Sequence, residues 1–295
     1  MGELRVRSAL VTGANRGIGL GFVRHLLALP NPPEWVFAGC RDPKGQRAQE
    51  LQQIGPQAPQ PGHASARVRP QAQSKAKGPL SSTVPAADTE GSGHSPPHLA
   101  SAEVTDPASI KAAAASVGER LKGSGLNLLI NNAGIVRANK LDNETLKDMS
   151  EVYMTNTIAP LLLSQAFLPL LKKAAQGSPG SGLSCNKAAI VNISSNGGSI
   201  KEVYLWEGIQ AACYRCSKAA LNMLTRCQSM GYREHGILCI AFHPGWVKTD
   251  MGGDFEDKTR VTVDESVGGM LKVLSNLSDK DSGSFLDWEG KVMAW

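Results

Sequence analysis

The 295-residue sequence predicts an α/β fold, a doubly wound parallel β-sheet with helices on both faces. Two observations carry that prediction. Short runs of almost wholly apolar residues recur: "SALVTGA" (8–14), "EWVFAGC" (34–40), "LNLLINNAG" (126–134), "KAAIVNISS" (187–195) and "ILCIAFHPG" (237–245). Strands covered on both faces read this way, whereas a half-exposed strand alternates apolar with polar. Helix-like stretches separate them: "GIGLGFVRHLLAL", the polar "KGQRAQELQQ", the long "ETLKDMSEVYMTNTIAPLLLSQAFLPLLKKAA", "CYRCSKAALNMLTRCQSMGY" and "VDESVGGMLKVLSNL". A strand–helix–strand order needs crossover connections and therefore parallel pairing. "GSFLDW" closes the sheet, and residues 1–295 form one domain in this reading.

One stretch breaks the rhythm. Residues 52–97 hold eight of the 17 prolines, no aromatic residue, and long Gln, Ser, Ala and Gly tracts. Such a segment buries too little apolar surface to offset its ordering entropy, so a disordered surface insertion is expected before the third strand. The remnant of that strand, "PHLASAEV" (97–104), is poorly apolar. Either it is short and weak, or that edge of the sheet is compromised.

Composition excludes several function classes. A net charge of +5, with Lys and Arg spread along the chain, argues against a nucleic-acid partner. The longest apolar run, Ile158 to Leu171, is broken by Pro160, Ser164, Gln165 and Pro169, which argues against a membrane span. "MGELRV" lacks the apolar core of a signal peptide, and Val6 breaks the myristoylation pattern behind Gly2. A cytoplasmic protein is the expectation. The six cysteines fall at irregular spacing and read as free thiols. Cys213 and Cys216 have neither a second CxxC nor a His pair, so no metal site is expected.

"TGANRGIG" (12–19) directly follows the first strand and opens the first helix. Gly13 permits the tight turn, Gly17 a close approach of backbone to a pyrophosphate, and Gly19 the packing of helix on strand. The helix N-terminus then offers unpaired N–H groups to the anion. Glycines in turns are often only turns, but the strand–loop–helix setting points to a dinucleotide. A carboxylate usually closes the second strand in NAD binders; here Cys40 and Arg41 stand there. A neutral residue followed by a guanidinium suits a 2′-phosphate, with Arg16 a second positive charge, so NADP(H) is the expected cofactor. The plain alternative leaves both arginines as solvated surface charges.

After that loop come "NNAG" (131–134), Asn156, "NISS" (192–195), Tyr214-x-x-x-Lys218 and "HPGWVKT" (243–249). In this order they resemble the short-chain dehydrogenase/reductases over the chain apart from residues 52–97. "LPLLKKAA", "HPGWVKTDMGG" and the terminal "AW" look closest to the sniffer and C-factor type of carbonyl reductase. The resemblance implies a single-domain Rossmann fold and reduction of a ketone, aldehyde or quinone by hydride transfer from NADPH. Whether such a chain pairs as a homodimer, through the helices carrying Asn156 and Tyr214, or stays a monomer is left open.

Carried over residue by residue, Tyr214 is the general acid. Positions i and i+4 share a helix face, so Lys218 stands beside it, and an ammonium there lowers a phenol's pKa from about 10. Lys218 also holds the nicotinamide ribose. Ser195 hydrogen-bonds the carbonyl oxygen, with Ser194 the lesser alternative. Asn156 holds a relay water. Gly13, Asn15, Arg16, Gly17, Ile18 and Gly19 form the phosphate loop. Asn132, Ala133 and Gly134 floor the adenine ribose, while Glu103 and Val104 receive the adenine, with Glu where relatives have Asp. Pro244, Gly245, Val247 and Thr249 lie towards the nicotinamide. Taken singly, Tyr214 and Lys218 are a helix surface, Ser195 a strand end and Asn156 a helix-interior polar residue; their joint order sets those readings aside. Ser195 precedes Tyr214 by nineteen residues. The intervening "NGGSIKEVYLWEGIQAAC" is expected to form a loop over the substrate, with Tyr204 and Trp206 as walls. The competing function is an NADP-binding regulatory or sensor module with little turnover, the insertion disturbing the adenine side.

Overall fold

The computed structural model describes residues 4–42, 45, 48–54, 97–178, 180–253 and 260–295. Most of the expected insertion, residues 55–96, lies outside the described residues, and the expectation of disorder falls there.

Seven strands form one sheet in the order β3-β2-β1-β4-β5-β6-β7, every neighbouring pair parallel. They are β1 (Ser8–Thr12), β2 (Trp35–Cys40), β3 (His98–Ser101), β4 (Leu128–Asn131), β5 (Ala189–Ile193), β6 (Leu238–His243) and β7 (Phe285–Asp287). The third strand is therefore present but short, pairing Phe37 to Cys40 of β2 with His98 to Ser101 at the sheet edge.

Alternate residues of the buried strands feed two cores. Ala9 and Val11, Leu128 and Ile130, Ala189, Val191 and Ile193, and Leu238, Ile240 and Phe242 point to one face. There they meet Leu20, Phe22, Val23 and Leu26 of α1 (Gly17–Leu27) and Val267, Met270, Leu271 and Leu274 of α7 (Val263–Leu274). Leu10, Leu129, Ile190 and Cys239 point to the other face, against Ile110 and Val117 of α3 (Pro107–Arg120) and Leu163, Phe167 and Leu171 of α5 (Ala159–Gln176). Truncating any of these fully buried leucines to alanine costs about 2–5 kcal/mol.

Of the polar helix expected before the insertion, the described residues hold one turn, α2 (Gln49–Gln53). Helix α3 has no counterpart in the apolar rhythm, because half of "PASIKAAAASVGER" is Ala and Ser. Its start is nonetheless marked: Pro107 takes the first turn and Asp106 accepts from Ala108 N (3.0 Å) and Ser109 N (3.2 Å).

The long helix divides into α4 (Leu146–Tyr153), one π turn (Met154–Ile158) and α5. Pro160 has no N–H for the carbonyl four residues back and its ring crowds it, so the turn widens there. Leu146–Gln176 is the one run among the described residues long and apolar enough to cross a bilayer, and its apolar face fills the second core. The last long helix of the site is α6 (Ala212–Gly231).

From β1 the chain winds outward through β2 to β3, then returns to β4 on the other side of β1. Crevices at such a reversal lie beyond the carboxyl ends of the strands. Thr12, Cys40, Asn131, Ile193 and His243 end there.

Candidate active site

At these ends lies a groove of about 920 Å³. Its floor is made by the turn after β1. Gly13 (φ 63°) and Gly17 (φ 50°) both adopt left-handed backbone. A Cβ at Gly13 would stand 3.0 Å from Ala133 Cα, and one at Gly19 only 2.2 Å from Gly13 O. Helix α1 begins at Gly17 without a side-chain cap, which leaves its first N–H groups for another acceptor. A bare cradle with an uncapped helix start fits a diphosphate, so the residues present fit a dinucleotide.

Gly13, Asn15, Arg16, Gly17 and Ile18 line the groove, as do Arg41, Glu103, Val104, Ala133, Gly134, Pro244 and Thr249. Gly19 does not; it packs beneath Gly13 instead. Asn132 reaches the groove, but its side-chain amide holds the turn, donating to Thr12 O (2.9 Å) and Gly13 O (3.3 Å). Gly245 and Val247 fall on a second cavity, described below.

Both arginines assigned to a 2′-phosphate are ion-paired. Arg41 Nε lies 2.7 Å from Glu103 Oε2, and Arg16 pairs with Asp250 across the mouth of the groove. Glu103 Oε1 also accepts from Thr105 Oγ1 at 2.9 Å. Cys40 is buried at the strand end, where burial and then the Asp42 charge raise its thiol pKa. Asp42, a carboxylate two residues further on, faces the turn at Gly45.

Lys218, Tyr214 and Ser195 converge at the inner end of the groove. Lys218 is buried and donates from Nζ to Ile193 O at 2.7 Å, with Nζ 5.6 Å from the Tyr214 ring centre. Burial pushes its pKa down to about 8. Burial likewise raises that of the Tyr214 phenol, against the lowering effects of a hydrogen bond with Ser195 and of the Arg215 charge. The expected lowering by Lys218 is not found: the two influences that lower the phenol are Ser195 and Arg215, and burial exceeds them.

Ser195, not Ser194, offers its hydroxyl to the site. Ser195 Oγ accepts from Gly197 N (3.0 Å), whereas Ser194 Oγ donates to Asn222 Oδ1 on α6 (2.6 Å). Asn156, in the π turn, is buried and lines neither cavity. Its amide nitrogen donates to Ile135 O (2.9 Å) and Ser217 Oγ (3.0 Å), and Oδ1 accepts from Ile135 N (2.9 Å). The amide protons are used; Oδ1 retains one lone pair. A Cβ at Gly134 would lie 3.3 Å from that Oδ1 and 3.7 Å from Lys218 Nζ, so both atoms overlook one small space.

Beyond Tyr214 lies a second cavity of about 220 Å³. Tyr204, Leu205, Ile209, Trp246 and Met251 wall it, with Ser195 and Tyr214 at its inner end. Trp206 is not among its walls; its ring faces the Arg215 cation, whose Cζ is 5.8 Å from the centroid.

Sequence reasoning missed three features. His243 lines the second cavity and accepts from Asn196 N through Nδ1 (3.2 Å), with burial holding its imidazole at about 4. Beneath the site a buried chain runs from Asn131 to Asn192 (2.8 Å), on to Gln228 (2.9 Å) and then Ser164 (2.9 Å). The third is Arg215. None carries a motif, although Arg215 adjoins Tyr214.

The chain belongs to the short-chain dehydrogenase family and is an oxidoreductase: the family model for "short chain dehydrogenase" matches residues 85–260. Its fold closely follows that of an NADPH-bound carbonyl reductase from chicken fatty liver, with TM-score 0.86 and 72% identity over 100% of this chain and 96% of the other. The carbonyl reductase Sniffer of D. melanogaster superposes with TM-score 0.79 at 32% identity, covering 99% of this chain and 100% of the other. The C-signal protein of Myxococcus xanthus is 35% identical over 171 residues, 58% of this chain and 93% of that protein. The likeness to sniffer and C-factor proteins expected from the terminal motifs is thus found.

Proposed function

We propose that this oxidoreductase is an NADPH-dependent carbonyl reductase, with Tyr214 as general acid. The observation that carries the reading is the meeting of Tyr214, Lys218 and Ser195 at the junction of a dinucleotide-shaped groove and an apolar cavity. The carbonyl reductases above, one of them NADPH-bound, support it.

The turn from Gly13 to Gly19 would hold the diphosphate, and Arg41 with Arg16 the 2′-phosphate. Each guanidinium would then be shared with, or released from, its carboxylate partner. Glu103 and Val104 would flank the adenine, Ala133 and Gly134 the adjoining ribose, and Lys218 the ribose near Tyr214. NADPH is the source of the hydride. The carbonyl oxygen gains negative charge as its carbon is reduced, and Ser195 Oγ and the Tyr214 hydroxyl are the donors placed to meet it. Tyr214 gives up its proton to that oxygen, completing the alcohol. Lys218 stabilises the resulting phenolate, and a water in the space between Asn156 Oδ1 and Lys218 Nζ would return the proton.

The binding-module alternative rests on a disturbed adenine side. Against it stand the pairing of β3 with β2 and the lining of the groove by Ala102, Glu103 and Val104 where the adenine would lie.

The test is a thermal-shift titration with NADPH and with NADH, followed by turnover on small carbonyls. A ligand that binds only the folded chain raises its melting temperature as concentration passes the dissociation constant. The reading expects a shift at far lower NADPH than NADH, and oxidation of NADPH when a carbonyl is added. NADPH binding without turnover on ketones, aldehydes or quinones would favour the binding module.

A further inference from the structure

The wall of the second cavity is the most strained part of the described chain. Residues 199–211, between the turn Asn196–Gly198 and α6, include no helix or strand. Four non-glycine residues have positive φ among the described residues, and three are here: Val203 (39°), Leu205 (57°) and Ala211 (42°). Left-handed backbone costs an L-residue about 1–2 kcal/mol. Such strain persists only where the surroundings over-determine it.

Arg215 supplies the constraint. Its Nε donates to Gln210 O (2.6 Å), and Nη2 donates to Tyr204 O (2.7 Å) and Ile209 O (2.6 Å). The cation also lies over the Trp206 ring, its Cζ 5.8 Å from the centroid. Nη1 is buried with no partner among the described residues, so the guanidinium holds this place despite one unanswered donor. All of these contacts go to one seven-residue segment, 204–210. That segment contributes Tyr204, Leu205 and Ile209 to the cavity. The residue before Arg215 is Tyr214, so one turn of α6 carries both the proton donor and the clamp on the facing wall.

Among the described lining residues Arg215 is the one permanently charged side chain, and its charge is turned to loop carbonyls. The wall it holds is apolar and aromatic. We propose that Arg215 is a positioning residue: its guanidinium fixes residues 204–210 as the wall that grips the apolar body of a neutral carbonyl substrate. This rests on the carbonyl-reductase reading of the same cavity. A lysine cannot replace it, since an ammonium on a flexible stem does not present the rigid planar fork that spans three carbonyls.

The test uses full-length Arg215→Lys and Arg215→Met with two α-diketones that share a reacting group and differ in body, 2,3-butanedione and benzil. Hydrogen exchange at amides 203–211 is measured on the same proteins with NADPH bound. Both variants should raise the KM for benzil at least tenfold and that for butanedione less than threefold. Exchange at 203–211 should quicken in both, while the NADPH-induced thermal shift stays. A benzil-to-butanedione KM ratio like that of the wild type, full rescue by lysine, or unchanged exchange would overturn the proposal. Wild-type protein that binds NADPH but reduces neither diketone would overturn the carbonyl reading and with it the gripping role. Faster exchange in the variants would then still establish the clamp itself.

Discussion

The groove at the ends of β1, β2 and β4 and the cavity beyond Tyr214 share a boundary but differ in construction. The groove is shaped by backbone: strand ends in register, two left-handed glycines and a helix start without a side-chain cap. The cavity is shaped by side chains that pin an irregular loop, above all Arg215 on the carbonyls of residues 204, 209 and 210. The turn that floors the groove fails on added volume, whereas the loop that walls the cavity fails when the side chain holding it changes chemistry.

Adding one methyl group to the groove floor should have the largest effect. Gly19→Ala places a Cβ 2.2 Å from Gly13 O and 2.6 Å from Asn132 Nδ2, with backbone on one side and a hydrogen-bonded amide on the other. Overpacking of this kind costs about 3 kcal/mol, or roughly 10 °C in melting temperature, and should weaken NADPH binding as the turn shifts. A thermal melt near that of the wild type would show that the turn yields more easily than described.

Arg41→Ala tests the chemistry at the outer end of the same groove. It should raise the dissociation constant for NADPH about tenfold and leave that for NADH within twofold, as loss of a hydrogen bond to a charged group implies. Equal losses for both would place Arg41 away from the 2′-phosphate.

At the junction, the buried Lys218 makes stability depend on pH. Its folded pKa of about 8 lies below its ordinary value of 10.5. Below pH 8 both states carry the proton. Between 8 and 10.5 the unfolded chain binds more protons than the folded one, so stability rises with pH. From pH 8 to 9 the gain is about 1 kcal/mol at 1.36 kcal/mol per unit. Buried thiols such as Cys185, raised to about 12, and Cys213, raised to about 11, oppose it from about pH 8 upward, where their unfolded counterparts begin to ionise, so the Lys218 contribution is read as a difference from a variant that lacks it. In urea melts of the cofactor-free chain from pH 8 to 9, the wild type should gain about 1 kcal/mol relative to Lys218→Met. A slope shared by both proteins would assign it elsewhere.

Ala211→Gly should give the smallest change and the opposite sign to Gly19→Ala. Relief of left-handed strain, less glycine's greater unfolded-state entropy, should stabilise by about 0.5 kcal/mol, raising the melting temperature by 1–2 °C. A fall would mean that the φ of 42° at the start of α6 is not strained in this setting.

The contrast also explains what was legible in the sequence. Strands and glycines announce themselves locally, so the sheet, Gly13 to Gly19 and the Tyr214–Lys218 face could be read from spacing. The short β3 was ambiguous because its four residues gain stability from pairing with β2, not from apolarity. The ion pairs of Arg41 with Glu103 and Arg16 with Asp250 join residues far apart in the chain, so no local pattern reports them. Trp206 suits the cavity by type alone, but the nearby Arg215 cation takes its ring instead. Asn156 shows the intermediate case: its candidacy follows from order along the chain, its position from a π turn that Pro160 helps to force.

The most direct test of the account is Tyr214→Phe, assayed for NADPH binding and for carbonyl turnover in one preparation. The NADPH dissociation constant should stay close to that of the wild type, while turnover falls by at least a thousandfold. Wild-type turnover in the phenylalanine variant would contradict it, because the proton would then come from another group.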